Sequence, residues 1–131
     1  MRDQNFIAGE FKPARSGATD DVLDPATGEV IGTAPASDAA DVDDAVAAAA
    51  GAFDAWAALT PRGRSEILHK LADAIEGDID ELSAIESRNV GKPVSIIEFE
   101  MDLTLDNWRF FASAGRFLEG RAAGEYMEGY T

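Results

Sequence analysis

Cysteine is absent from the 131 residues and histidine occurs once. The first absence excludes disulfides and thiolate chemistry within the chain and leaves the redox compartment open. The second leaves His69 as the only imidazole, inside a helical pattern where a lone histidine is ordinarily a packing or surface residue. Basic residues are also scarce, 11 Lys and Arg against 25 Asp and Glu, for a net charge of −14. Neutralising phosphates takes clustered Lys and Arg, so nucleic acid is excluded as the expected partner. The acids are spread rather than blocked: 11 acids and 3 bases occur up to Thr60, then 14 and 8. Solvated helix faces account for most of this, and adaptation to a salty cytoplasm is the minor reading. No apolar run approaches the roughly 20 residues of a membrane span. Residues 1–11 lack the apolar core of a signal peptide. A cytoplasmic location without membrane attachment is expected.

What is present reads as an α+β chain. Phe6-Ile7 and Phe11-Lys12 flank Ala8-Gly9-Glu10, a hairpin spacing with Gly at the turn. Residues 21–24 and 29–34 flank Pro25-Ala26-Thr27-Gly28, with Pro early and Gly late in the turn. Two short β-ribbons are thus expected over residues 5–36, and ribbons this short need something to lie on.

From Ser37 the hydrophobic period changes, and four helices are expected over residues 37–119. Ser37 is the expected N-cap of the first, with Asp38 and Asp41 in its first turn. Val42, Val46, Ala49, Phe53 and Trp56 form its apolar stripe. Thr60-Pro61 restarts the pattern as cap and first helical residue, with Ile67, Leu68, Leu71 and Ile75 facing one way. A third helix carries Ile79, Leu82 and Ile85 and stops near Gly91-Lys92-Pro93. The fourth, residues 94–118, has two apolar stripes. One is Ile96, Phe99, Leu103, Phe110 and Phe117; the other is Ile97, Met101, Leu105, Trp108 and Phe111. A helix apolar over so wide an arc is normally buried on several sides. At 1.5 Å per residue it would be about 37 Å long, more than three shorter helices and two ribbons can cover. More chain or another subunit is the expected cover.

The catalytic patterns are incomplete. No serine sits in a Gly-x-Ser-x-Gly elbow, and the glycines do not fit the dinucleotide fingerprint. Gly91-Lys92 fails as a phosphate loop because Glu86 stands at the first glycine and Pro93 replaces Ser or Thr. Glu98, Glu100 and Asp102 form a carboxylate group. Glu98 and Asp102 share a helical face, while Glu100 points elsewhere. Without histidine support this is a poor metal site, and a solvated edge suits Glu98 and Asp102. Glu100, between Phe99 and Met101, is better placed to line something.

The order of punctuation nevertheless resembles a known family. Phe6-Ile7-Ala8-Gly9-Glu10-Phe11, then Asp24-Pro25-Ala26-Thr27-Gly28-Glu29-Val30-Ile31, then Phe53 and Trp56, are similar to the opening of the NAD(P)-dependent aldehyde dehydrogenases. Arg64 before Ile67-Leu68, Glu86 before Gly91-Lys92-Pro93, and Glu100-Met101-Asp102 before Phe110-Phe111-Ala112 continue the likeness. The tail Ala122-Ala123-Gly124-Glu125-Tyr126-Met127-Glu128-Gly129 resembles the branch acting on 4-aminobutyraldehyde and related aminoaldehydes.

The resemblance implies that the chain is an N-terminal portion, one incomplete segment of the family's larger α/β fold. Residues 120–131 would begin the segment leading to the oligomerisation strands. It also implies a full chain several times longer, in which a cysteine thiolate attacks the aldehyde, hydride passes to NAD and a glutamate-activated water completes the oxidation to the acid. Those residues and the NAD contacts would lie beyond Thr131. The chain alone is therefore expected to be inactive, and the complete enzyme a homo-oligomer, a homotetramer on the family pattern.

Two family roles carry over by position. Some members hold a monovalent cation with main-chain carbonyls of the second ribbon and a carboxylate just before Gly-Lys-Pro; the matching positions are Val22, Leu23 and Asn89. Carbonyls suit a hard cation, but Asn89 supplies no charge, and helping to end the helix accounts for it equally well. Glu100 and Leu103 match the substrate entrance of aminoaldehyde-oxidising relatives, where an acid would attract a cationic aldehyde. From a different class, a free-standing acidic helical module that binds a partner protein remains the alternative.

Overall fold

The computed structural model describes residues 4–117. It contains two short antiparallel strand pairs followed by four helices, the α+β arrangement expected. The described residues divide into two compact units, those up to Asp54 with Ile85–Lys92, and Ala55–Ala84 with those from Pro93 onward.

In the first unit, β1 (Asn5–Ile7) pairs with β2 (Glu10–Lys12), placing Phe6 opposite Phe11. Their ring centroids are 4.9 Å apart. The turn is shorter than the sequence suggests: Ala8 (φ 55°) and Gly9 (φ 81°) make it alone, and Glu10 joins the strand. Two consecutive positive φ values match the right-handed twist of the flanking strands, which favours the two-residue loop.

The second ribbon pairs β3 (Thr19–Leu23) with β4 (Val30–Pro35), with an irregularity between Val22 and Leu23. It begins two residues earlier than expected because Thr19 and Asp20 find partners in Pro35 and Ala34. Asp24 leaves the strand because its carboxylate accepts from the Ala26 N–H at 2.8 Å, while its carbonyl accepts from the Gly28 N–H at 2.7 Å. The Asp24 N–H still donates across to the Glu29 carbonyl at 2.9 Å, so an Asx turn closes the end of the ribbon.

Helix α1 (Ala39–Ala57) is capped by Asp38 rather than by Ser37. The Asp38 carboxylate accepts from the N–H groups of Ala40 (2.8 Å) and Asp41 (3.3 Å), and the Asp41 carboxylate accepts from the Asp38 N–H at 3.0 Å. This is a reciprocal box that satisfies otherwise orphaned donors. Ser37 instead bonds the Asn5 side chain at 2.8 Å. Asp41, 4% exposed, also accepts from the Arg15 N–H at 2.9 Å. The Asp38 and Arg15 N–H groups hold its pKa below the ordinary carboxylate value. The Arg15 guanidinium grips Asp44 at 2.6–2.8 Å.

Helix α3 (Ile79–Val90) ends on Gly91, whose φ of 70° few other residues adopt. The Ser87 hydroxyl donates to the Lys92 carbonyl at 2.8 Å, and the Gly91 N–H donates to the Ser87 carbonyl at 2.9 Å.

The second unit is organised by two helices packed on each other, α2 (Pro61–Gly77) and α4 (Val94–Ala114). Thr60 caps α2 as expected, accepting from the Gly63 N–H at 3.1 Å with Pro61 next. Arg64 donates to the carbonyls of Ala57 and Leu59, tying the preceding turn to the helix. Ala72 on α2, with Ile97, Leu105 and Ala112 on α4, makes the buried apolar centre. Helix α4 ends at Gly115, short of the residue 118 expected, and Leu118 lies outside the described residues. The Arg116 and Phe117 N–H groups bond three residues back, to Ser113 and Ala114, a turn that closes the helix. No described helix is long and apolar enough to cross a membrane.

Candidate functional site

The expected cation ligands lie in the first unit. Val22 is half-buried and Leu23 is exposed, on either side of the irregularity in β3; Asn89 is exposed on the last turn of α3. That helix end meets the second ribbon closely, since a Cβ on Gly91 would stand 2.9 Å from Pro25 Cγ. The helix C-terminus contributes partial negative charge there, which suits a cation. Among the described residues no group of three His, Cys, Asp or Glu could hold a metal ion, so a cation here would depend on backbone oxygens and Asn89. Lys92 pairs with Glu86 at 3.6 Å beside the turn.

The expected entrance residues lie on α4. Glu98 and Asp102 are exposed, the solvated edge read from the sequence, whereas Glu100 is half-buried. Leu103 is 49% exposed. An open groove of about 280 Å³ is lined by Thr104, Asn107, Trp108 and Phe111. Spacings of four, seven and eleven residues put Thr104, Asn107 and Phe111 on the same helical face as Glu100. Two apolar rings, Trp108 and Phe111, and two polar side chains, Thr104 and Asn107, line it. Thr104 and Asn107 escape an apolar periodicity search because neither is apolar; a polar residue every third or fourth position beside a wide stripe is the signal that finds them.

Trp108 and Phe111 fall on the stripe of α4 that packs, yet they are 36% and 63% exposed. The buried residues of the helix are Ile97 and Leu105 of that stripe, with Ala112 beside Phe111. Phe111 stacks edge-on against Phe110 at 5.2 Å.

His69 meets a serine. Its Nε2 lies 3.3 Å from Ser113 Oγ, and that hydroxyl donates back to the Arg109 carbonyl at 3.1 Å. The serine proton is thus engaged with the helix backbone, and the contact joins α2 to α4. Arg109 strengthens the same joint, reaching Glu76 at 2.7 Å and Asp73 at 3.5 Å. Its hydrogen bond to Glu76, ahead of the Asp73 contact, raises its pKa further.

A smaller hollow of about 190 Å³ lies at the start of α1 between Phe6 and Val42, and its acid, Asp41, is already held by backbone donors. The described residues therefore offer an open groove lined by Thr104, Asn107, Trp108 and Phe111, with Glu100 a turn before Thr104 on the same helix, and no assembled nucleophile and base.

The model of the aldehyde dehydrogenase family matches residues 11–131. The chain is 38% identical over 112 residues to 2-aminomuconic semialdehyde dehydrogenase of Bos taurus, covering 85% of this chain and 23% of that protein. Among solved structures, PnpE in complex with nicotinamide adenine dinucleotide is 40% identical with a TM-score of 0.89, covering 95% of this chain and 26% of that one. The NAD-dependent aldehyde dehydrogenase from Sinorhizobium meliloti is 41% identical with a TM-score of 0.87, covering 92% and 25%. The chain belongs to the aldehyde dehydrogenase family. It corresponds to the family's N-terminal region and spans about a quarter of the length of these relatives.

Proposed function

We propose that this chain is the portion of an NAD-dependent aldehyde dehydrogenase that borders the substrate approach and braces the cofactor-binding fold. The observation that carries the reading is Glu100. It is half-buried on the α4 face that holds the 280 Å³ groove, in a chain of this family. In the whole enzyme a bound NAD would supply the two-electron acceptor for oxidation of the aldehyde, with water supplying the second oxygen of the acid. The chain has no cysteine, so a thiolate nucleophile would come from residues outside it, and the 131 residues alone are inactive.

The substrate class we favour is an aldehyde carrying a cationic nitrogen, 4-aminobutyraldehyde or a close relative. A carboxylate at the approach attracts such a cation, more weakly in salt. Leu103, next to that face, would contact the aliphatic part. The intact enzyme would be a cytoplasmic homotetramer. A monovalent cation, held by the carbonyls of Val22 and Leu23 with the Asn89 side chain, would fasten the second ribbon to the end of α3.

The test uses the intact protein carrying this segment. Glu100→Gln is expected to raise KM for 4-aminobutyraldehyde several-fold more than KM for butyraldehyde, measured by NADH formation. Equal changes for both aldehydes would remove Glu100 from the approach. No NADH formation with any aldehyde would favour the interaction-module reading, which rests on the exposed apolar stripe of α4.

A further inference from the structure

Many of the acids occupy places where a folded helix resists negative charge. Helix α2 has no basic residue in its last turn and carries Asp73 and Glu76 near that end, towards the negative pole of its dipole. Helix α1 repeats the arrangement, with Asp54 in a last turn that also lacks a base. Along α4, Glu98, Asp102 and Asp106 are exposed and follow one another at intervals of four, so each faces a like charge one turn away. Arg109 offsets part of the α2 cluster. The opposing force is small. Among the described residues the apolar side chains almost wholly shielded from solvent are Ala14, Ala72, Ile97, Leu105 and Ala112, three of them alanines. A net charge of −14 on such a core works against compaction through self-repulsion.

We propose that the fold of this chain depends on salt: its native state is stabilised where monovalent ions screen the acidic helix ends and the α4 acid line. The inference goes beyond the enzymatic reading and holds whichever aldehyde is the substrate. The test is thermal unfolding of the 131-residue chain, followed by circular dichroism in KCl from about 0.01 to 3 M. The comparison protein carries Asp54→Lys and Asp106→Lys, both at exposed positions.

The unfolding midpoint of the parent is expected to climb mostly between about 0.01 and 1 M, where the Debye length contracts from about 30 to 3 Å. The variant is expected to start higher and climb less, the two converging near 1 M. A chain that is coil at the lowest salt and becomes helical on adding KCl gives the same answer. A midpoint indifferent to KCl, or equal slopes in parent and variant, overturns the proposal. So does a rise that begins only above 1 M in both, which is salting-out of apolar surface, and so does a chain that is coil throughout.

Discussion

Along α4, Ile97, Leu105 and Ala112 are at most 5% exposed, while Ile96, Phe99, Leu103 and Phe110 on another face are 48–70% exposed. Both faces are apolar and both have helical period, so hydrophobicity alone does not separate them. What separates them is a partner of the right shape. The small residues Ala72 and Ala112 let α2 and α4 approach, and His69, Ser113 and Arg109 supply the polar contacts of that joint. The other face has no such counterpart among the described residues. An exposed apolar face of this breadth marks an interaction surface, in keeping with a chain that spans a quarter of its relatives.

The sharpest way to break the comparison is to truncate one residue on each face. Ile97→Ala removes packed atoms and leaves a cavity, with an expected cost of about 2–5 kcal/mol. Phe99→Ala deletes more apolar surface from a residue 70% exposed, yet its expected cost is within about 0.5 kcal/mol. Urea unfolding of the two variants decides it, and equal losses would mean that the outer face is packed as well. Next in size is Gly91→Ala, which forces a positive φ on a residue with a Cβ and pushes it against Pro25. An expected loss of about 1–3 kcal/mol would show that a tight backbone contact can hold as much as one apolar side chain.

Thr60→Ala, which deletes the cap of the buried-seam helix α2, should lower stability by about 1 kcal/mol, with Thr60→Ser recovering most of it. The smallest stability effect is expected from Phe99→Ser combined with Phe110→Ser. There the readout is binding of a hydrophobic dye, which should fall sharply while the melt stays in place. Unchanged dye fluorescence would put the accessible apolar surface elsewhere, on the α1 stripe of Val42, Val46 and Phe53.

Local rules made much of this legible in the sequence. Thr60-Pro61 and Gly91-Lys92-Pro93 mark helix boundaries because cap geometry and fixed or positive φ act within a few residues, and the structure places α2 and α3 accordingly. The cap of α1 was harder to place. Ser37 and Asp38 are both good caps, and the choice fell to Asp38 because Asp41 could return the bond while Ser37 was engaged by Asn5, 32 residues earlier. The α1 stripe was legible as a stripe, but Val42, Val46, Phe53 and Trp56 are 39–65% exposed. Periodicity states that a face is apolar and is silent on whether anything covers it. The tail, residues 120–131, lies outside the described residues.

By itself the sequence determined the kinds of elements, their order, the acidic balance and the family, because propensity, capping and punctuation are local and additive along the chain. The tertiary structure alone decided which face of α4 would be buried and that Asp41 would become a buried clamp for Arg15. It also brought His69 on α2 against Ser113 on α4. Those outcomes depend on contacts between residues 26 to 44 positions apart, such as Arg15 with Asp41 and His69 with Ser113. Whether such pairs meet is settled by packing, shape and competition for partners, which no local pattern encodes.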